Sequence, residues 1–218
     1  MNSKLFEYST TTNPKYLVIL LHGYGANGEN LINLSHELKY VLPDAHYISP
    51  NAIQPWEGGF PDAYQWFSLY RGSDRKGLVE IAEEIKNSNK ILTNFIDAQL
   101  ARFNLTEDKL FIIGFSQGAM MSMYQGLAKN KKPAGIIAFS GKLILPEMLG
   151  EQSFAKPDFC LIHGEQDSVV PFENFLEAKK TMEERGIPHE SHAIPNLDHS
   201  IDIHGIRMAQ NFIKKRIA

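Results

Sequence analysis

The segment from Leu110 to Ala119 constrains the fold more than any other part of this 218-residue chain. A run of apolar residues ends in Gly114-Phe115-Ser116-Gln117-Gly118, which fits the pattern G-x-S-x-G, and a helix-compatible stretch follows. A strand, a sharp turn and a helix in this order form a nucleophile elbow, with the serine at the apex of a strained turn. The two glycines remove side chains that would collide in so tight a turn. The segment therefore predicts that Ser116 is a nucleophile.

A five-residue match of this kind also occurs by chance in a chain with 16 glycines, so the context has to decide its meaning. The competing interpretation is that Ser116 only caps the N-terminus of the following helix. The two interpretations are compatible, because an elbow serine also precedes a helix.

Composition predicts one globular domain over residues 1–218, because 43% hydrophobic residues are enough for a full core at this length. The net charge of −3 and the absence of a long basic run argue against a nucleic-acid partner.

The single cysteine, Cys160, stands in an apolar run and is expected to be a buried, inert thiol. The early apolar run Tyr16–Leu21 is too short to span a bilayer, so we expect a cytoplasmic protein without stable membrane insertion.

Strand-like and helix-like segments alternate along the chain. Several predicted strands are continuous apolar runs, as is typical of strands that are covered on both faces. They are Leu5–Thr10, Tyr16–Leu21, His46–Ser49, Leu110–Phe115, Gly135–Phe139, Phe159–His163 and Glu190–Ile194.

Helices are predicted between these strands from apolar residues at three- and four-residue spacing. Beyond the helix after the elbow, the predicted helices are Asn27–Val41, Lys76–Phe103, Phe172–Arg185 and Ile206–Ile217. The alternation predicts an α/β fold with a mainly parallel sheet of about seven strands and helices on both faces. One long stretch, Pro50–Ser73, lacks clear periodicity and is rich in aromatic residues, which favours a functional loop over disorder.

A serine nucleophile needs a base, and the base needs an acid that orients it. In parallel sheets such groups lie on loops that follow the strands. Asp167 follows the strand that ends at His163, and His199 follows the strand that ends at Ile194. Serine, acid and histidine then occur in the chain order that the elbow architecture requires.

Other residues compete for these roles but are less well placed. Glu165 lies closer to its strand end than Asp167 does, and Asp198 adjoins His199, from where it would have difficulty reaching Nδ1. His163 is expected to buttress the loop. The remaining histidines lie on or beside a strand, upstream of the serine or near the last helix; they are His36, His46, His189, His192 and His204.

Attack on a carbonyl creates an oxyanion that preplaced N–H donors must meet. One donor is the backbone N–H of Gln117, the residue after the nucleophile. The Gly-rich loop that starts at His22 follows an early strand, and the backbone N–H of Tyr24 is the preferred second donor. This loop lacks the GK[ST] ending and the G-x-G-x-x-G spacing of nucleotide-binding loops.

These motifs, in this order, resemble the phospholipase/carboxylesterase family of α/β-hydrolases, which includes acyl-protein thioesterases. The resemblance extends over nearly the whole chain. It depends on Leu21-His22-Gly23-Tyr24-Gly25, on the elbow, on His163 to Pro171 and on Asp198-His199-Ser200.

The resemblance implies a serine carboxylesterase in which Ser116 is the nucleophile, His199 the base and Asp167 the acid. It implies that the backbone amides of Tyr24 and Gln117 form the oxyanion hole, and that no metal or organic cofactor is needed. The chain departs from the usual H-G-L-G-D pattern at Tyr24 and from F-S-Q-G-G at Ala119.

Trp66-Phe67 is similar to the W-F segment that lies beside the acyl site in this family. We expect Trp66, Phe67 and Leu69 to bind substrate, although aromatic residues of this loop could instead cover the sheet edge or form a homodimer interface. The expected substrate is a small acyl ester or thioester, with lysophospholipids as a further candidate. A non-catalytic binding protein of the same fold, and a dienelactone-hydrolase-like or peptidase member, stay open as alternatives.

Overall fold

The computed structural model describes residues 4–71, 74–129, 131–144 and 156–217. Its centre is a seven-stranded sheet. The seven strands are β1 (Leu5–Ser9), β2 (Tyr16–Leu21), β3 (Ala45–Pro50), β8 (Leu110–Phe115), β9 (Gly135–Phe139), β10 (Phe159–Gly164) and β11 (His189–Ile194). Their order in the sheet is β1-β3-β2-β8-β9-β10-β11.

Six of these strands pair in parallel, and only the edge strand β1 runs antiparallel to its neighbour β3. The central strands β8, β9 and β10 are buried along almost their whole length. Their continuous apolar sequences fit this environment, because helices cover both faces of the sheet. The predicted α/β fold with a mainly parallel sheet is confirmed.

Six helices pack against the sheet in the described part of the chain. Helices α3, α4 and α5 contribute to the apolar core on one face, and α1, α2 and α6 contribute to the core on the other. Their bounds are α1 (Gly28–Ile32), α2 (Ser35–Leu38), α3 (Leu78–Arg102), α4 (Gln117–Ala128), α5 (Glu173–Glu184) and α6 (Ile203–Ile217). A 3-10 turn, Glu107–Lys109, precedes β8.

Two helices differ from their predicted extents. The predicted single helix Asn27–Val41 is divided into α1 and α2, because the backbone tightens to three-residue hydrogen bonds, from Leu34 to Leu31 and from His36 to Asn33. The last helix begins earlier than predicted. The carboxylate of Asp202 accepts a hydrogen bond from the N–H of Gly205 at 2.8 Å, as an N-cap residue does.

The aromatic loop between β3 and α3 folds back on the sheet. It contains two small hairpins, formed by β4 (Gln54–Pro55) with β5 (Tyr64–Gln65) and by β6 (Tyr70–Arg71) with β7 (Asp74–Arg75). Part of the loop enters the core, as the full burial of Trp66 shows. Of the segment predicted as a functional loop, residues 72 and 73 lie outside the described residues.

Candidate active site

Ser116 occupies the turn between β8 and α4 in a strained backbone conformation. Its φ of 53° and ψ of −118° lie in a region that residues other than glycine rarely adopt. Ser116 stands at the N-cap position of α4, but its side chain makes no capping hydrogen bond. The hydroxyl is therefore directed elsewhere, as the elbow interpretation predicts and a simple capping role does not.

Two glycines let the elbow close. A methyl group at Gly114 would lie 2.2 Å from the carbonyl oxygen of Gly118, which is in the first turn of α4. A methyl group at Gly118 would lie 1.9 Å from the carbonyl oxygen of Leu21, at the end of β2. Because neither methyl group is present, the start of α4 packs directly against the end of β2.

The hydroxyl of Ser116 meets the imidazole of His199. The distance from His199 Nε2 to Ser116 Oγ is 3.0 Å. His199 follows β11, and the centroid of its ring lies 4.8 Å from that of Phe115, the residue before Ser116. The structure thus brings together two residues that are 83 positions apart in the sequence.

Asp167 completes this chain of hydrogen bonds on the opposite side of the imidazole. Its carboxylate oxygens lie 2.8 and 3.0 Å from Nδ1 of His199. The backbone N–H groups of Val169 and Val170 donate to Oδ1 at 3.0 and 2.8 Å. Burial alone would raise the pKa of Asp167, but the hydrogen bonds from His199 and from the two amides outweigh it, so the pKa is lowered.

His163 supports the same loop from beneath. Its Nε2 lies 2.8 Å from the carbonyl oxygen of Val170 and 3.3 Å from Oδ2 of Asp167. The ring is buried, and burial lowers its pKa although the nearby carbonyl and carboxylate oppose the change. A neutral ring with the proton on Nε2 can donate to Val170. This geometry agrees with the buttressing role expected for His163.

The rival residues have other partners or stand apart. Asp198 accepts hydrogen bonds from the backbone N–H and the hydroxyl of Ser168, at 2.9 and 2.8 Å. Glu165 is exposed. Among the other histidines, His46 lies 2.6 Å from the carboxylate of Glu7, far along the sheet from the elbow.

The loop that follows β2 lies against Ser116. A methyl group at Gly23 would be 3.4 Å from Cβ of Ser116, so the loop backbone passes beside the serine. The ring of His22 lies 2.7 Å, through Nδ1, from the carbonyl oxygen of Gly23, and its Nε2 accepts from the N–H of Ala52 at 2.9 Å. Burial lowers the pKa of His22 to about 4, although the bond to Gly23 opposes the shift. A neutral imidazole therefore fixes the loop.

The side chain of Gln117 forms a contact that sequence analysis missed. Its Oε1 accepts from the backbone N–H of Trp66 at 2.8 Å, and its Nε2 donates to the carbonyl oxygen of Phe67 at 2.7 Å. The indole N–H of Trp66 donates to the carbonyl oxygen of His22 at 2.9 Å. No local sequence pattern predicts these three hydrogen bonds, because the residues that they join are 51, 50 and 44 positions apart, respectively.

Tyr24 contacts the aromatic loop on the outer side. Its hydroxyl donates to the carboxylate of Glu57, which also accepts hydrogen bonds from the hydroxyl of Ser68 and, at 3.0 Å, from the backbone N–H of Leu69. The ring of Tyr24 meets that of Trp56 edge to face, with 5.8 Å between centroids. Tyr24 thus connects the loop that follows β2 to the aromatic loop.

The three residues predicted to bind substrate differ in exposure. Trp66 and Phe67 are 0% and 2% exposed, whereas Leu69 is partly buried.

The described residues contain no cluster of three or more side chains that could hold a metal ion. Within the same part of the chain, no helix is both long enough and apolar enough to cross a bilayer.

Comparison with known proteins identifies the family. The model of the phospholipase/carboxylesterase family matches residues 7–217. The chain belongs to this family. Its similarity to an acyl-protein thioesterase 1 of Schizosaccharomyces pombe is 33% identity over 165 residues, or 71% of this chain and 69% of that protein. Its similarity to esterase YpfH of Escherichia coli is 25% identity, over 92% of this chain and 86% of that protein.

Among solved structures, the esterase PE8 is similar with a TM-score of 0.88 and 32% identity, and the match covers 98% of each chain. Membership of the family and these relatives make the chain a serine hydrolase of the esterase and thioesterase class. The family suggested by the sequence motifs is confirmed.

Proposed function

We propose that Ser116, His199 and Asp167 are the catalytic triad of this hydrolase. His199 removes the proton of Ser116 as its Oγ attacks an ester or thioester carbonyl, and Asp167 orients the imidazole and stabilises its charged form. The alcohol or thiol then departs with the proton from His199. Water, activated by the same histidine, attacks the acyl-enzyme and releases the acid.

The observation that supports this proposal most strongly is the continuous hydrogen-bonded series from Ser116 Oγ through the two ring nitrogens of His199 to Asp167, at 3.0 and 2.8 Å. In this series, Asp167 keeps the proton of the neutral ring on Nδ1, so Nε2 is free to accept from the serine. The lowered pKa of Asp167 supports the same assignment, because a carboxylate that stays charged stabilises the imidazolium.

The proposed oxyanion hole consists of the backbone N–H groups of Gln117 and Tyr24. Gln117 is the first residue of α4, where a backbone N–H has no acceptor within the helix and the helix dipole favours negative charge. Tyr24 follows Gly23, whose backbone passes beside Ser116. Donors at these two places would meet the carbonyl oxygen as it becomes negative.

For the substrate we propose small acyl esters with short to medium chains, and then thioesters and lysophospholipids. The acyl-protein thioesterases among the relatives support the thioester alternative. Trp66, Phe67 and Leu69 remain the predicted substrate-binding residues. The mechanism requires no metal or organic cofactor. A single domain over residues 1–218, a cytoplasmic location and a homodimer through the aromatic loop remain predictions from the sequence.

The decisive experiment compares the wild-type protein with Ser116→Ala. The wild type should hydrolyse p-nitrophenyl acetate and form a covalent adduct with a fluorophosphonate probe, located at Ser116 by mass spectrometry. The variant should lose the adduct and at least about 10³-fold in kcat. A neighbouring variant, Ser122→Ala, removes a buried hydroxyl that donates to Ala119 at 2.9 Å and should remain active.

Retained esterase activity in a correctly folded Ser116→Ala protein would contradict the proposal. A wild-type protein that binds esters without turnover and forms no adduct would instead support the non-catalytic alternative. A panel of p-nitrophenyl esters of increasing chain length, measured beside a thioester, a lysophospholipid and a peptide amide, separates the substrate classes.

A further inference from the structure

Trp66 lies between the two parts of the proposed oxyanion hole and is hydrogen-bonded to both. Its indole N–H donates to the carbonyl oxygen of His22 at 2.9 Å, and its backbone N–H donates to Oε1 of Gln117 at 2.8 Å. Its backbone carbonyl accepts from the hydroxyl of Ser88. The residue has no exposed surface, so all its polar groups are used inside the protein.

The two contacts reach the two chain segments that carry the proposed donors. His22 precedes Tyr24 by two residues on the loop after β2, and Gln117 carries the other donor on its own backbone. The Gln117 side chain also donates to the carbonyl of Phe67 at 2.7 Å, so its amide group is hydrogen-bonded to both residues of the Trp66-Phe67 segment. Trp66 therefore connects two segments whose relative position determines the size of the oxyanion hole.

The separation of the donors matters for the reaction rate. Preorganised donors must lie at hydrogen-bonding distance from the oxyanion, and removal of one of them typically lowers kcat by roughly 10²- to 10³-fold. A displacement of about 1 Å can cost roughly 10²-fold. A residue that fixes both donors without contact to the substrate thus acts on kcat.

We propose that Trp66 is a positioning residue for the oxyanion hole, which holds the loop of Tyr24 at a fixed distance from the amide of Gln117. The inference depends on the proposed function. It gives Trp66 a role distinct from the substrate contact predicted from the sequence. A residue that contacts the acyl chain changes KM, and the change grows with chain length. A positioning residue lowers kcat by a similar factor for every ester.

Two substitutions test the proposal. Trp66→Phe keeps most of the buried ring and removes only the indole N–H that bonds to His22. Gln117→Leu keeps the backbone donor and removes both side-chain bonds to the Trp66-Phe67 segment. Each has a matched control. Tyr47→Phe removes a buried aromatic donor that bonds to the carbonyl of Leu42 at 2.9 Å, and Gln125→Leu makes the same change at a fully buried glutamine on the same helix.

Steady-state kinetics are measured with p-nitrophenyl acetate, butyrate and octanoate, at a temperature where circular dichroism shows each protein to be folded. The second measurement is the inhibition constant of a trifluoromethyl ketone, which forms a tetrahedral oxyanion on the serine. We expect kcat to fall about 10-fold in Trp66→Phe and up to about 100-fold in Gln117→Leu, by a similar factor for all three esters. Binding of the ketone should weaken in parallel, and the controls should stay within about 3-fold of wild type.

Unchanged kcat and ketone affinity in both variants would overturn the proposal. A rise in KM that grows with chain length, at unchanged kcat, would also overturn it and support a substrate contact. If Trp66→Phe does not fold, Gln117→Leu gives the same test. Failure of the proposed function is distinguishable, because Ser116→Ala then keeps its activity, whereas failure of this inference leaves Ser116→Ala inactive and the two variants unaffected.

Discussion

Nδ1 of His199 lies 2.8 Å from one carboxylate oxygen of Asp167 and 3.0 Å from the other, although Asp198 is the adjacent residue in the sequence. The neighbouring carboxylate is instead directed at the backbone N–H and hydroxyl of Ser168. The carboxylate that contacts His199 is therefore that of Asp167, which is distant in the sequence, and not that of the adjacent Asp198.

The first prediction concerns these two carboxylates. Asp167→Asn should lower kcat for p-nitrophenyl acetate by roughly 10²- to 10⁴-fold, because an amide can no longer hold the proton of His199 on Nδ1 or stabilise the imidazolium. Asp198→Asn should cost less than about 10-fold. Comparable losses in the two variants, measured as kcat/KM at one pH, would contradict the assignment of the acid.

The second prediction concerns the pH dependence of stability. In the folded protein the pKa of His22 is lowered to about 4, whereas in the unfolded chain it is near 6.5. Between these values the unfolded state binds a proton at this residue and the folded state does not, so stability falls as the pH decreases from about 6.5 to about 4. The contribution of His22 to this loss is of order 3 kcal/mol.

The measurement is urea unfolding of wild type and His22→Gln at several pH values across this window. The variant should be less stable at pH 7 and should show a shallower dependence on pH. His163 and His192 also have lowered pKa values, since both are partly or fully buried, but they contribute equally to both proteins. Parallel pH curves for the two proteins would show that His22 is not the titrating group.

The third prediction concerns the close packing of the elbow. Gly118→Ala places a methyl group 1.9 Å from the carbonyl oxygen of Leu21, so α4 or β2 has to move. We expect a loss of about 3 kcal/mol in stability and a loss of activity, because the shift displaces the Gln117 amide. As a control, Gly77→Ala places its methyl group no closer than 3.9 Å to the carboxylate of Glu80 and should change stability by less than about 1 kcal/mol.

The fourth prediction concerns stability away from the site. Nζ of Lys129, at the end of α4, lies 3.1 Å from the buried carboxylate of Glu107 and 2.8 Å from the exposed carboxylate of Asp97. Lys129→Met leaves Glu107 without this cation, and we expect a loss of about 2 kcal/mol. Lys86→Met breaks a pair with Glu83 that is mostly exposed, and should cost less than about 0.5 kcal/mol. Both variants should retain wild-type kcat.

The sequence predicts the strands of this protein better than the long-range hydrogen bonds that join its loops. All seven strands of the sheet are predicted close to their observed places. The signal is clearest for the central strands β8, β9 and β10, because strands that are buried on both faces are continuous apolar runs. The sequence places Ser116, Asp167 and His199 each after a strand at the same edge of the sheet, and the three side chains meet there in the structure. The division of the predicted helix Asn27–Val41 was missed, since three- and four-residue spacing of leucines fits both one helix and two.

The contacts of Gln117 and Trp66 were missed for a different reason. Their residue types are compatible with many environments, and hydrogen bonds across about 50 positions leave no periodic trace in the sequence. The lowered pKa of His22 could not be predicted from the sequence either. Its shift depends on burial and on the carbonyl of Gly23, and both are properties of the folded loop.

The position of Gly118 also bears on how the site changes during evolution. At most surface positions a side chain can be exchanged with little effect, but here a hydrogen atom occupies the place where any other residue brings a carbon into the carbonyl oxygens of Leu21 and His22. The spacing between α4 and the loop that follows β2 therefore depends on the absence of a side chain at position 118. New substrate preferences can therefore arise in the aromatic loop, while this junction has to stay as it is.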